Sequence, residues 1–136
     1  MDLFELNFAK IKLLREDIAE VIINKGIEID EAIVKEYHDF LIKHLRAPFS
    51  LLINKINPYS YTFVAQQKLG TIKEINAMAV VVYSHTSRFS TQSLASQTRS
   101  KKWDMRIFTE REIALEWLES KQGKIWESFT PSTSRV

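Results

Sequence analysis

The stretch Ser84, His85, Thr86, Ser87 and Arg88 holds the residue types best suited to chemistry in this sequence. It follows an apolar run that predicts a buried strand and precedes a segment that predicts a helix. In open α/β sheets ligands often bind beyond the carboxyl ends of strands, and free amides at a helix start favour anions. These side chains therefore predict a ligand or anion site. The alternative, which we favour, is a solvated loop with an ordinary capping hydroxyl.

The same stretch suggests a small hydrolase in which His85 is the base and Ser84 or Ser87 the nucleophile. Such chemistry needs an oriented nucleophile and base together with an oxyanion hole. The sequence has no Gly-x-Ser-x-Gly turn and only 3 glycines. We therefore expect a protein without enzymatic activity and keep the hydrolase as an alternative.

Metal-ligating residues are sparse. The absence of cysteine excludes a thiolate zinc site, a cysteine nucleophile and a disulfide framework. His38 and His44 fall on one predicted helix, where their spacing places them on different faces. We expect no metal and no cofactor.

A second group of candidates, Tyr59, Ser60, Tyr61 and Thr62, surrounds a turn marked by Asn57 and Pro58. Tyrosines beside turn residues are often half exposed, and tyrosine is enriched at interfaces. The group therefore predicts the wall of a pocket or part of an interface.

The elements that must position these candidates alternate along the chain. Apolar and β-branched runs predict strands over 7–14, 18–23, 49–53, 77–83 and 103–108. Apolar residues spaced by three to four predict helices over 31–45, 61–69 and 88–98, with a last helix after residue 109. An opening hairpin followed by alternating strands and helices predicts an α/β fold. We expect a mixed, mostly parallel sheet of about five strands flanked by four helices, with the strand over 77–83 in its centre.

Capping residues mark the helix boundaries. Asp30 is a good N-cap, Gly70 a C-terminal stop, and Thr109 with Glu112 has the pattern of a capping box. Gly123 is expected to end the last helix. The interpretation is one domain over residues 1–123 followed by a flexible tail over 124–136.

Bulk properties narrow the partners. The chain has 136 residues, enough for one domain, with 19 basic and 17 acidic residues and a net charge of +2. This near balance gives little attraction to nucleic acid or to an anionic membrane. No signal peptide is recognised, and the longest apolar run is too short to span a bilayer. We expect a cytoplasmic protein with no nucleic-acid partner and no membrane insertion.

The chain resembles a known family over about residues 5 to 120. The resemblance rests on the opening hairpin, the strand SLLIN at residues 50–54, the strand over 77–83 and the segment IFTEREIALEWL at residues 107–118. Together they are similar to the small SpoIIAA-like proteins of the STAS superfamily. The resemblance implies a bacterial regulatory or binding module, and none of its motifs is a catalytic signature.

The resemblance also implies two modes of action. Regulatory STAS domains switch partners through a phosphorylatable Ser or Thr in an Asp-Ser-Ser-Gly-like turn. The matching stretch, residues 58–63, keeps the hydroxyls of Ser60 and Thr62 but lacks the Asp and the Gly. Other relatives are compared with lipid-binding folds, which implies a small apolar ligand.

Our leading hypothesis is a non-enzymatic module that acts through a protein partner or self-association. The predicted helix over 88–98 has few apolar groups, among them Phe89 and Leu94, so a second chain in a homodimer would complete the cover of the sheet. A helix that moves over a ligand pocket would explain the same pattern. The first alternative is therefore a carrier or sensor of a small apolar ligand, and the second is the hydrolase.

Overall fold

The computed structural model describes residues 2–84 and 104–129, with side chains up to residue 125. In these parts the strands are β1 Leu3–Glu5, β2 Ala9–Arg15, β3 Ile18–Ile23, β4 Glu28–Ile29, β5 Phe49–Asn54, β6 Ser60–Tyr61, β7 Ile75–Val81 and β8 Asp104–Phe108. The helices there are α1 Glu31–His44, α2 Phe63–Lys68 and α3 Arg111–Phe129.

The main sheet has six strands in the order β1-β2-β3-β5-β7-β8. The first three strands pair antiparallel, and β3, β5, β7 and β8 pair parallel. β4 and β6 form a separate parallel pair. The α/β class with a mixed, mostly parallel sheet is thus confirmed, and the expected strand count of about five was too low.

Strand β7 lies between β5 and β8 and is buried on both faces. Met78 and Val80 point to the side covered by α1, whereas Ala77 and Ala79 point to the side covered by α3. This double burial explains why the strand is apolar at almost every position. We call the two sides of the sheet the α1 face and the α3 face.

Helix α1 begins as its sequence predicts, because the Asp30 carboxylate accepts a hydrogen bond of 2.9 Å from the amide of Ile33. Its buried side includes Tyr37 and Leu41. Val34 and His38 are also buried, while Ile33 and Phe40 are only partly buried.

The strands that the prediction missed are short. β1, β4 and β6 have 3, 2 and 2 residues, too few for an alternating pattern to be visible. β6 also shortens α2: Tyr61 pairs with Ile29 rather than joining the helix, and Thr62 caps it by accepting from the Ala65 amide at 3.1 Å. Gly70 follows the helix end with a φ of 73°, the conformation expected of a glycine stop.

The boundaries of α3 differ from the prediction at both ends. The helix begins at Arg111, later than a capping box on Thr109 requires, and the Glu112 carboxylate accepts from Arg111 instead. It continues through Gly123 to Phe129, so the prediction that Gly123 ends it was wrong. Glycine lowers helix stability by about 1 kcal/mol, but the neighbouring Gln122 is buried and donates to Asp17 and the Pro48 carbonyl, which holds this part of the helix against the sheet. The predicted helix over 88–98 and residues 130–136 of the predicted tail lie outside the described residues.

Candidate functional site

The predicted anion site is described only at its first residue. Ser84 is exposed and follows the carboxyl end of β7, as the sequence predicts. His85, Thr86, Ser87 and Arg88 lie outside the described residues, as do Phe89 and Leu94. The anion, hydrolase and dimer hypotheses that use them stay predictions.

The described part of the chain contains an apolar pocket between the α1 face of the sheet and the elements that cover it. Its empty volume is about 650 Å³ with the open mouth included, and its centre is narrow, with room for a few water-sized groups. The wall is apolar except for one lysine and three tyrosine hydroxyls. Its residues are Phe8, Val21, Ile23, Ile29, Ile33, Val34, Tyr37, Ile53, Lys55, Tyr59, Tyr61, Leu69, Met78, Val80 and Met105.

Backbone pairing fixes the polar part of this wall. Lys55 follows β5 directly, and its amide donates to the Val81 carbonyl at 3.0 Å, which extends the parallel pairing past the strand end. Tyr61 is held by the β4–β6 pair, opposite Ile29. Tyr59 precedes that pair, so the two tyrosines and the lysine converge on one end of the pocket.

Lys55 is a buried cation, only 8% exposed. Its Nζ lies 3.5 Å from the Tyr61 hydroxyl, 5.1 Å from the centre of the Tyr59 ring and 5.6 Å from that of Tyr61. Burial lowers the pKa of its ammonium group to about 8. The ammonium is therefore held by aromatic faces and a hydroxyl in an apolar wall, a setting in which lysine acquires unusual reactivity.

The tyrosine hydroxyls form a short chain beside the lysine. Tyr61 Oη donates to Tyr59 Oη at 3.4 Å, and the two rings meet edge to face at 5.5 Å. Burial raises the pKa of Tyr37, Tyr59 and Tyr61, so all three stay protonated at neutral pH. The polar end of the pocket is thus rich in hydrogen-bond donors.

A buried histidine ties the cover of the pocket together. The amide of Gly70, just beyond α2, donates to His38 Nε2 on α1 at 3.1 Å. Burial lowers the pKa of His38, partly opposed by Asp39 and Glu74. The neutral ring that can accept this bond is therefore the favoured form, and it joins α1 to the end of α2. Lys68 on α2 also bonds Glu31 on α1.

The α3 face carries a charged cluster at the same end of the sheet. Arg111 donates to both oxygens of Glu20, from Nε at 3.0 Å and from Nη2 at 2.8 Å. Asn54 donates to the same carboxylate at 2.9 Å and accepts from the Tyr83 hydroxyl at 2.8 Å. Burial raises the pKa of Glu20, but the bonds from Arg111 and Asn54 outweigh it and hold this pKa below its usual value.

A second polar network anchors α3 at the opposite end of the sheet. The buried Gln122 donates to Asp17 and to the Pro48 carbonyl, each at 3.0 Å. Its oxygen accepts from Ser50 at 2.5 Å and from Asn76 at 3.0 Å. The two N–H donors and the two acceptor sites of the Gln122 amide are thus all hydrogen-bonded inside the protein. This network fastens the helix and leaves no group of Gln122 available to a ligand.

The sequence-predicted residues around the turn separate in the structure. Tyr59 and Tyr61 line the pocket, Ser60 is exposed on β6, and Thr62 caps α2. Sequence reasoning missed Lys55 and His38 as parts of the site. No local pattern marks Lys55, because it lies between the polar Asn54 and the turn at Asn57 and Pro58, where a lysine is usually exposed.

The described residues hold no cluster of three or more His, Asp or Glu side chains that could bind a metal ion. None of the described helices has the length and apolarity needed to cross a membrane. Neither a protein-family model nor a curated protein matches the chain.

A solved structure does match. It is that of an uncharacterized protein of the DUF3478 family from Shewanella loihica PV-4, described as having a SpoIIAA-like fold. The match covers 85% of this chain and 98% of that one, with a TM-score of 0.53 and 12% identity. The chain has a SpoIIAA-like fold. At this identity the likeness establishes the fold alone, and it confirms the fold that the sequence resemblance implies.

Proposed function

We propose that this SpoIIAA-like module binds a small, slender, mainly apolar molecule whose single acidic end lies at Lys55. The observation that carries the proposal is a buried amine in the wall of an otherwise apolar pocket. Ligand sites typically combine an apolar lining with a few convergent polar groups that fix orientation.

The acidic end follows from the electrostatics of Lys55. Its lowered pKa means that the surroundings disfavour the charged form, and a carboxylate placed against Nζ would restore that form by ion pairing. The hydroxyls of Tyr59 and Tyr61 add donors for the carboxylate oxygens. An acceptor-rich ligand end therefore complements this end of the pocket, while a second amine would repel Lys55.

The leading sequence hypothesis, action through a protein partner or self-association, stays a proposal of its own. Its residues Phe89 and Leu94 lie outside the described part of the chain. The described surface does expose apolar side chains on α2, where Phe63 is 70% and Val64 41% exposed. Such an exposed pair beside the pocket supports a docking role for α2, alongside ligand binding.

Titration with octanoate, followed by NMR of the backbone amides, tests the ligand proposal. We expect shifts at Lys55, Tyr61 and Met78, and binding of octanoate tighter than that of 1-octanol, which has the same chain without the charge. Lys55→Met should weaken octanoate binding at least about tenfold, the loss of one charge-assisted hydrogen bond, and leave 1-octanol binding nearly unchanged.

The matched control is Lys10→Met, which removes an exposed lysine from β2. Octanoate binding should be the same in this variant as in the wild type. Equal affinity for octanoate and octanol, or shifts confined to residues away from the pocket, would contradict the proposal.

A further inference from the structure

The polar end of the pocket combines three features that binding alone does not need. The Lys55 amine and the Tyr61 hydroxyl lie 3.5 Å apart, and Tyr61 is bonded onward to Tyr59 at 3.4 Å. The neighbouring wall is apolar, with Val21 and Met78 among its residues. A primary amine, an adjacent proton donor and a dry wall are what a carbonyl group needs to condense with a lysine.

We propose that Lys55 forms a reversible imine with small apolar aldehydes that enter the pocket. The Nζ lone pair attacks the carbonyl carbon, and an ammonium proton moves to the oxygen to give a carbinolamine. The carbon–oxygen bond then breaks as Tyr61 protonates the leaving oxygen, and the remaining nitrogen proton returns to the Tyr61 phenolate. Aldehyde and amine thus give imine and one water, with no oxidant or reductant required.

The environment favours the reactive form of the amine. With a pKa of about 8, Lys55 is about one quarter neutral at pH 7.5, whereas an ordinary lysine is about 0.1% neutral. Burial keeps Tyr61 protonated and therefore able to donate. The apolar wall limits the water that would hydrolyse the imine.

This activity uses the pocket of the proposed function but does not depend on the acidic ligand. An aldehyde needs the amine in its neutral form, whereas a carboxylate needs it charged. The two ligands should therefore compete for the same lysine and have opposite pH dependences, with imine formation gaining and acid binding losing as the pH rises through about 8.

The experiment is reductive trapping of the full chain with octanal and sodium cyanoborohydride, followed by intact mass and peptide mapping. At pH 7.5 we expect one octyl group, located on Lys55, with a labelling rate at least about tenfold that of the exposed Lys10. The rate at Lys55 should level off above pH 8, while that at Lys10 should still be rising. Labels spread evenly over surface lysines of the wild type would overturn the proposal, and this result requires no variant to fold.

Two variants sharpen the assignment. Lys55→Arg keeps the positive charge but cannot form the imine, so the single label should disappear, whereas Lys10→Arg should retain it. Tyr61→Phe should slow labelling at Lys55 at least about threefold, since one proton donor is lost. A label that persists at full rate in Lys55→Arg would overturn the proposal.

Octanoate added as a competitor separates this proposal from the proposed function. Labelling of Lys55 that octanoate suppresses supports both proposals. If octanoate leaves the labelling of Lys55 unchanged, the result supports imine formation and contradicts the binding of an acidic ligand at Lys55. If octanoate binds but octanal does not label Lys55, the acid-binding proposal stands and the imine proposal is overturned.

Discussion

The two faces of the central sheet bury opposite charges in opposite ways. On the α3 face, Glu20 receives two hydrogen bonds from Arg111 and one from Asn54. On the α1 face, Lys55 lies against tyrosine rings and a hydroxyl in the wall of an apolar pocket. The pKa shifts reflect this contrast. The surroundings of Glu20 favour its charged form, whereas those of Lys55 disfavour its charged form.

The difference separates a structural charge from a functional candidate. A bidentate arginine–carboxylate pair fixes geometry, and here it locks the first turn of α3 onto β3. A charge held at a cost in an apolar pocket is instead a typical feature of sites whose ligand or reaction uses that charge. Both lie near the carboxyl ends of the parallel strands, on opposite sides of one sheet.

The largest expected effect tests the structural charge. Arg111→Met should lower the free energy of unfolding by about 3 kcal/mol, because Glu20 would remain buried without its cation. Urea denaturation at pH 7 measures the loss. Glu112→Gln, which removes an exposed carboxylate bonded to the same arginine, should change stability by less than about 0.5 kcal/mol.

The stability that the Glu20–Arg111 pair contributes also depends on pH, in a direction that the pKa shift of Glu20 determines. Since the folded pKa of Glu20 is lowered, the pair stabilises the protein above pH 4.5, and its contribution is lost as the pH falls through the folded pKa. The variant Arg111→Met should lack this acid-side loss. A variant as stable as the wild type at pH 7 would mean that Glu20 does not depend on its partner.

Most of the fold could be predicted from the sequence. Strand 18–23 and the start of α1 were placed correctly because a β-branched run and an Asp cap are strong local signals. The end of α3 was not, since Gly123 is a local stop signal overridden by the tertiary contacts of Gln122. Short strands such as β6 are defined by their pairing with another strand, and two residues are too few for a sequence pattern to predict them.

The site could be predicted only in part. Tyr59 and Tyr61 were singled out because aromatic residues next to a turn are conspicuous in the sequence. Lys55 and His38 were not, because a lysine and a histidine among polar neighbours are usually exposed. Their burial depends on where β5 ends and on which side of α1 faces the sheet. Both are determined by packing between segments that are distant in the sequence.

A smaller effect is expected at the cover of the pocket. His38→Ala should lower the free energy of unfolding by about 2 kcal/mol, because the buried amide of Gly70 loses its acceptor. His38→Gln, which offers an oxygen acceptor, should lose less. Thermal or urea unfolding at pH 7.5 compares the two, and equal losses would show that packing rather than the hydrogen bond is responsible.

The pKa of His38 is lowered in the folded protein, so the direction in which its contribution to stability changes with pH is also determined. The histidine contribution is fully present above pH 6.5, the unfolded value, and declines as the pH falls below it towards the folded pKa. The stability gap between wild type and His38→Ala should therefore narrow between pH 6.5 and the folded pKa. A gap that is constant over this range would mean that the ring titrates alike in both states.

The smallest expected effect returns to Lys55 and has the opposite sign. The lowering of its pKa from 10.5 to about 8 corresponds to a penalty of about 3 kcal/mol on the charged form of Lys55 at pH 7, which Lys55→Met would remove. Methionine forfeits the contacts with Tyr59 and Tyr61, so we expect a gain of about 1 kcal/mol. Because the unfolded chain binds this proton more tightly, the wild type should recover stability between pH 8 and 10, and its gap to the variant should close there. Urea unfolding of both proteins at pH 7 and pH 9.5 measures this closure. A variant less stable than the wild type at pH 7 would place Lys55 with Glu20 among the structural charges and remove the contrast between the two faces.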